Sequence, residues 1–291
     1  MVIRSNFQGY LFASPWLFGF FVFTLGPFIA SLVISLHQWD ILTPMQYVGL
    51  RNFERMLQDN LFWHSLRVTV VYTIFAVPLQ LAMAMLLAVL VNGNGAVKLF
   101  FRAVFFLPSV TAGVAVAVLW RWLFNPEFGL INFLLDAIGI QGPPWLSSPA
   151  WALPAVIVMS LWGVGSTMLI FLASLQAIPD YLYEAAEIDG ANMLHKFRFV
   201  TLPMMSSTIF FTLVMGIIGS FQIFTQIYIL TNGGPENATL FYVLYLYQQA
   251  FRSFKMGFAS ALAWVLFLIV MVVTLIQFRL AGRWVYYELG E

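Results

Sequence analysis

Along most of this chain the hydrophobic positions neither alternate nor recur at an amphipathic interval; they run on. Six stretches, roughly 11–36, 68–91, 103–124, 150–175, 204–230 and 257–278, are almost wholly apolar and essentially free of charge at their centres. About 20 such residues span a hydrocarbon core as a helix. A β-barrel strand would instead alternate apolar and polar positions, which these stretches do not. In lipid the backbone must satisfy its own hydrogen bonds, so the pattern predicts six transmembrane helices. The first run, Leu11–Leu36, is too long for the apolar region of a signal peptide, and no small-x-small cleavage site follows it. It reads as a retained span, with Pro15 and Pro27 as the positions where it is expected to kink.

The connections differ in kind. Segment 37–67 is long and mixed, and GLRNFERMLQDNLFWHSLR (49–67) predicts an amphipathic surface helix. NGNGAVKLFFR (92–102) is a short turn carrying Lys98 and Arg102, and 125–149 is a loop containing Pro and Gly. TNGGPENAT (231–239) reads as a turn, followed by an interfacial helix over 240–254. No repeat of period 20–50 and no low-complexity segment is visible. Orientation should follow Lys and Arg. With the N-terminus inside, the inner segments hold Arg4, Lys98, Arg102, Lys196, Arg198, Arg279 and Arg283; the outer ones hold Arg51, Arg55, Arg67, Arg121, Arg252 and Lys255. The balance is nearly even, and the denser short turns favour an inside N-terminus.

Composition narrows the class. The 291 residues are 62% hydrophobic and 9% charged, with 30 Phe, and the mean hydropathy is +0.89. A soluble domain carries about 25% charged residues, so this is an integral membrane protein. A net charge of +1 excludes a nucleic-acid partner. The absence of cysteine excludes disulfides, thiolate metal sites and Cys nucleophiles. His37, His64 and His195 are far apart and show no metal-ligand spacing. No Ser/His/Asp or paired-carboxylate set is arranged for catalysis, and no G-x-x-x-x-G-K-[ST] phosphate loop is present; GNGAVKLF (93–100) is not one. The chain is therefore expected to be no enzyme and to hold no cofactor. Charge-free span centres suit a neutral solute and argue against an ion-coupled secondary transporter, the alternative function, which needs ionisable groups or broken helices at mid-membrane. Trp39, Trp145 and Tyr286, near span ends, fit an aromatic belt, and Arg121 can snorkel to the interface. Gly257 and Ala261, four residues apart, suit close helix packing.

One polar stretch stands out, EAAEIDGANMLHKFRFVTLP (184–203). Pro179 and Asp180 suit a first helical turn, YLYEAAEID (181–189) is helix-forming, and Gly190 supplies a left-handed end. A second short helical piece runs through Met193–Phe199, and Leu202-Pro203 opens the next span. The result is a helix–turn–helix hairpin on the membrane surface. Ala185, Ala186 and Ala191 allow close approach, Glu184, Glu187 and Asp189 offer carboxylates, and Ile188, Met193 and Leu194 offer apolar contact. On these grounds alone it is either a plug gripped by a partner or a solvated loop between spans.

The pattern E-A-A-x-x-D-G-A, followed by Phe197 and by Leu202-Pro203, resembles the EAA loop of membrane subunits of binding-protein-dependent ABC importers. SPWLFGFFVFTLGPFIASLVISL (14–36), YVGLRNF (47–53), RAVFFLPSV (102–110), LQAIPDYLYEAAEIDGA (175–191), LTNGGPENAT (230–239) and AF...FKMGFASAL (250–262) resemble the carbohydrate-uptake branch related to the maltose and glycerol-3-phosphate systems. The resemblance covers nearly the whole chain. It implies an all-α type I importer permease (MetI-like) fold with six transmembrane helices and a cytoplasmic N-terminus. Residues 1–67 would form a first helix and external segment, 68–283 the core with the coupling loop at 180–203, and 284–291 a cytoplasmic tail. It further implies that Glu184, Ala185, Ala186, Asp189, Gly190 and Ala191 couple to a separate ATPase, present in two copies, which holds the ATP and Mg. A second homologous permease, a sugar substrate, membrane lipid and an extracytoplasmic solute-binding protein complete the expected partners. That protein would dock partly on TNGGPENAT and 125–149. The expected location is a bacterial or archaeal cytoplasmic membrane. The relative's sugar contacts fall on Trp162, Gly163 and Ser166, and on Gly216, Gly219, Ser220 and Ile223, with Gln222, Thr225 and Gln226 as nearby hydrogen-bonding alternatives. These are not the residues of the maltose-specific relative, so the implication stops short of maltose. Gly and Ser at such positions serve either helix packing or solute contact.

Overall fold

The computed structural model describes residues 2–286, with side chains from residue 11; residues 287–291 of the expected tail, and the Arg4 side chain, lie outside what is described. One compact unit is built from the chain up to Phe62 together with Tyr245–Leu268, the other from Trp63–Leu244 together with the chain from Ile269 on.

In the first unit, α1 (Val2–Phe20) and α2 (Gly26–Ser35) are joined by a widened helical turn, Phe21–Leu25. Ahead of Pro27 the helix widens where a kink is expected, and Leu11–Ser35 stays one continuous span. A proline lacks an N–H and crowds the carbonyl four residues back, which is that of Phe23, in the middle of the turn. Pro15 lies inside α1. Two short antiparallel strands follow, β1 (His37–Gln38) and β2 (Gln46–Tyr47), paired His37 to Tyr47 and Gln38 to Gln46. The expected 49–67 helix is broken: α3 is Arg51–Leu57, and α4 (Asn60–Leu90) starts at Asn60. Asp59 causes the break, its Oδ1 accepting the Leu61 N–H at 2.8 Å as a helix cap.

The second unit is a chain of interrupted helices. α5 (Ala96–Phe106) runs through a tight turn, Leu107–Val110, and meets α6 (Gly113–Leu123) at 99°. The predicted span 103–124 is therefore not one straight helix, because Thr111 and Ala112 are extended (ψ 137° and 131°) behind Pro108. The loop 125–149 contains a helix, α7 (Leu130–Ala137), and is organised by Asn132. The Asn132 amide donates to the Pro126 and Pro143 carbonyls, each at 3.3 Å, and accepts from Trp145 Nε1 at 2.7 Å. α8 (Pro149–Ser160) and α9 (Gly165–Gln176) bend by 49° through Leu161–Gly163. Next come α10 (Asp180–Ile188), α11 (Met193–Lys196), a widened turn Phe197–Thr201 ahead of Pro203, and α12 (Leu202–Met204). The arm 193–204 meets α13 (Ser206–Phe221) at 67°, and α14 (Thr225–Leu230) follows a break at Gln222–Phe224. The predicted span 204–230 is thus two helices.

The chain closes with α15 (Tyr242–Tyr247) and α16 (Met256–Ala281). The segment expected to be an interfacial helix is helical over 242–252, but its start is buried, with Leu240, Phe241, Tyr242, Leu244 and Tyr245 at most 2% exposed, while residues 251–254 are exposed. Its backbone is anchored by Tyr242 N–H donating to Thr69 Oγ1 at 2.9 Å. Among the described residues three helices, Leu11–Ser35, Asn60–Leu90 and Met256–Ala281, are long and apolar enough to cross a membrane unbroken, and three bent pairs bring the total to at most six.

Candidate functional site

Two features of the second unit carry chemistry, a hairpin and a pair of cavities. In the hairpin, α10 starts after Pro179, which is extended, with Asp180 in its first turn at the positive helix end. It ends in a complete Schellman motif. Gly190 is left-handed (φ 77°), its N–H donates to the Glu187 carbonyl, and the Ala191 N–H donates to the Ala186 carbonyl, both at 2.9 Å. Asn192 caps α11, its Oδ1 accepting the His195 N–H at 2.9 Å. Glu187 and Lys196 form an ion pair across the two arms. The hydrogen bond from Lys196, and then its charge, holds the Glu187 carboxyl below its usual range. Tyr183 Oη pairs with Thr201 Oγ1 at 3.0 Å.

Beneath the hairpin lies a core of Ala84, Met85, Ala88, Met168, Phe171 and Leu175, against which Leu182, Tyr183 and Phe197 pack. Burial of these side chains orders the base while the tip stays open. Ile188, Met193 and Leu194 are 87%, 82% and 72% exposed. Glu184, Ala185, Asp189 and Gly190 are exposed; Ala186 and Ala191 are half-buried. The structure thus brings the six expected coupling residues into one capped, clasped hairpin. Lys98 and Arg102, by contrast, close the end of α4: Lys98 donates to the Asn92 carbonyl, and Arg102 to the Val91 and Gly93 carbonyls.

The bends create the cavities. One, of about 280 Å³, is lined by Trp162, Gly163, Ser166, Ile223 and Gln226, with Tyr72, Gln80, Ser109 and Thr111. The other, of about 420 Å³, is lined by Gly216, Gly219, Ser220, Gln222, Ile223, Thr225 and Gln226. They share Tyr72, Gln80, Ile223 and Gln226. Neither has an Asp, Glu, Lys or Arg among its lining residues. Trp162 is held by a row of rings: edge-on to Trp120 at 5.9 Å, then Phe124, Trp145 and Trp151.

Small residues divide between packing and openness. A Cβ on Gly216 would meet Val77 Cγ1 at 3.1 Å, and buried Ser220 shares its hydroxyl with Thr73 at 2.8 Å and the Ile217 carbonyl at 2.8 Å. Both serve the contact with α4. Gly163 and Gly219 instead have nothing within 4 Å of a Cβ. In LWGVG the packing glycine is Gly165, where a Cβ would fall on the Phe105 carbonyl.

The family described as binding-protein-dependent transport system inner membrane component matches residues 16–286. The chain is 45% identical to the probable ABC transporter permease protein YesP of Bacillus subtilis (strain 168), over 99% of this chain and 94% of that one. It is 37% identical to the lactose transport system permease protein LacF of Rhizobium radiobacter, over 94% of each chain. The chain belongs to this permease family. A crystal structure of a bacterial alginate ABC transporter, in complex with an alginate pentasaccharide-bound periplasmic protein, has a chain with the same fold: TM-score 0.86 at 23% identity, over 97% of this chain and 96% of that one. The permease is thus a multi-pass inner-membrane component with the type I importer (MetI-like) fold.

Sequence reasoning missed Tyr72, Gln80, Ser109 and Thr111 in the permease cavities and the Asn192 cap in the hairpin. Gln80 is a polar residue inside the apolar run 68–91, and that contrast is a readable signal. The histidines have hydrogen-bond partners: His37 Nδ1 with the Val33 carbonyl at 2.7 Å, His195 with Asn192, and, far along the chain, His64 Nε2 with the Asn237 carbonyl at 2.8 Å.

Proposed function

We propose that the chain is one permease subunit of an ATP-driven sugar importer. It forms half of a translocation path with a second, homologous permease. The hairpin 180–203 seats in a separate ATPase subunit, present in two copies, which alone holds ATP and Mg. Its N-terminus and hairpin are cytoplasmic, and a solute-binding protein delivers the sugar from outside, docking partly on 125–149 and 231–239. The membrane is the cytoplasmic membrane of a bacterium or archaeon. The observation that carries this reading is the hairpin itself. Its arms are capped, bridged by Glu187–Lys196 and set into a core, while Ile188, Met193 and Leu194 project beside Glu184 and Asp189. A stiff base transmits displacement, and an apolar tip rimmed with carboxylates suits a socket with basic walls. ATP binding can shift an inward–outward equilibrium only through contacts that differ between the states.

The sugar assignment is supported by the relative named for lactose, the structural neighbour titled for alginate, and the cavity lining. Trp162 offers a flat face, and Ser166, Gln222, Thr225 and Gln226 offer hydroxyl and amide partners without charge. Broken helices occur in ion-coupled transporters too, where unwound backbone carbonyls and helix ends can hold the ion; the family match and the relatives named as ABC or lactose transport permeases favour the importer over that alternative. The test is Glu184→Lys. The variant is expected in the membrane at normal abundance, with copurifying ATPase and sugar uptake both reduced at least about tenfold, as for a reversed charge at an interface. Normal copurification together with normal uptake would refute the coupling role.

A further inference from the structure

The first unit contains a polar cavity of about 720 Å³ that the translocation path does not use. Its walls come from the β1–β2 ribbon, α3, the segment 245–255 and the start of α16. They are tied to one another. Asn52 Nδ2 donates to the Ser35 and His37 carbonyls at 2.8 and 2.9 Å, and Met256 N–H donates to the Trp39 carbonyl at 2.9 Å. A Cβ on Gly257 would fall on the His37 carbonyl oxygen, so these walls also touch closely.

Both carboxylates of the cavity are committed to this frame. Asp40 Oδ1 accepts from Thr43 Oγ1 at 2.6 Å and Thr43 N at 2.8 Å, the hydroxyl bond first and the amide bond next holding its carboxyl below the usual range. Asp59 caps α4 with one oxygen and accepts the Tyr245 hydroxyl with the other. Seven other polar lining side chains form no hydrogen bond or ion pair with any described residue: Arg55, Lys255, Gln38, Gln46, Gln249, Ser253 and Trp39. The uncommitted ionisable groups among them are both cations.

We propose that this cavity is a binding subsite for a carboxylated sugar, a uronate residue of an incoming oligosaccharide. Arg55 and Lys255 receive the carboxylate, the guanidinium in the paired geometry that suits it. The Trp39 indole covers the apolar face of the ring. Each glutamine amide both donates and accepts, which matches hydroxyl groups. A bare phosphate at neutral pH would leave the amide carbonyls unmatched. The volume is in the range of small-molecule sites, about 300–1,000 Å³. The path cavities are lined by no Lys or Arg, so this chain recognises the carboxylate here rather than deeper.

The inference rests on the importer reading for the side of the membrane the cavity faces, outside, where 37–67 and 231–255 lie if the N-terminus is cytoplasmic. It is tested on the detergent-extracted protein with its copurifying subunits in lipid nanodiscs, without solute-binding protein or nucleotide. Digalacturonate, its methyl ester and inorganic phosphate are titrated by calorimetry. Digalacturonate is expected to bind, with the ester and the variants Arg55→Gln and Lys255→Gln each weakening binding at least about tenfold, as expected for lost charged hydrogen bonds. Trp39→Leu is expected to weaken acid and ester alike. Lys255→Arg should retain most of the affinity, which separates lost recognition from lost folding. No binding by the unmodified protein, equal affinity for the ester, displacement by phosphate at equal concentration, or unchanged affinity in both glutamine variants would overturn the proposal. Loss of solute-binding-protein association in those variants, without any digalacturonate binding, would overturn it in favour of a protein socket. Because no transport or ATP is involved, a negative result leaves the coupling hairpin standing.

Discussion

At Gly190 the backbone φ is 77°, where a β-branched residue is a genuine outlier. Gly190→Val should cost at least about 1 kcal/mol locally, fray the Schellman turn and lower uptake severalfold; unchanged proteolysis of the hairpin and unchanged uptake would contradict this. This turn was readable in the sequence, because only glycine occupies that conformation without strain. The cap at Asn192, two residues on, was not legible, because an Asn shortly after a Gly suits a turn as well as a helix start. Glu187 makes a pH statement. Its carboxyl is held below the ordinary 4.5 by Lys196. A depressed folded value means the clasp contributes above about pH 4.5 and is lost as pH falls through the lowered value. Lys196→Met should return the Glu187 titration, followed by carboxyl NMR, toward its ordinary range; an unmoved titration would deny the clasp.

At the scale of elements, apolar runs located the helices but not their bends. The turn at Phe21–Leu25 follows from Pro27 and the one at Phe197–Thr201 from Pro203, each four residues after a carbonyl it crowds. The 99° bend between α5 and α6 depends on two extended residues, Thr111 and Ala112, whose composition is ordinary for a helix. Helix contact is specified by single small residues. A side chain on Gly165 would strike the Phe105 backbone. Gly165→Val should therefore destabilise the α5–α9 contact by about 1–3 kcal/mol, the usual cost of overpacking. A thermal melt of the detergent-solubilised chain that matched the unmodified protein would show that the contact yields freely.

For the molecule as a whole, the two cavities bring α4 and the α5–α6 bend together with residues 162–166 and 216–226. Gln80 lines both. Gln80→Ala is expected to raise the transport KM about tenfold, as for a lost amide partner at a hydroxyl-bearing solute, with ATPase copurification unchanged. Equal loss of copurification would place Gln80 in assembly instead. Together with Glu184→Lys, this separates solute contact from coupling in one chain.

The sequence by itself determined the membrane class, the helical character and the hairpin over 180–203. Each depends on local properties: transfer of apolar side chains into lipid, obligatory backbone hydrogen bonding there, and a left-handed glycine. Only the tertiary structure decided that Ser220 turns toward Thr73 while Gly163 and Gly219 face open space, that segment 240–245 is buried, and that Asp40 and Asp59 are engaged while Arg55 and Lys255 are not. Those outcomes depend on which groups from distant segments come within about 4 Å of one another. Apolar runs of equal hydropathy carry no such record, because lipid-facing and protein-facing sides of a membrane helix are made of the same residues.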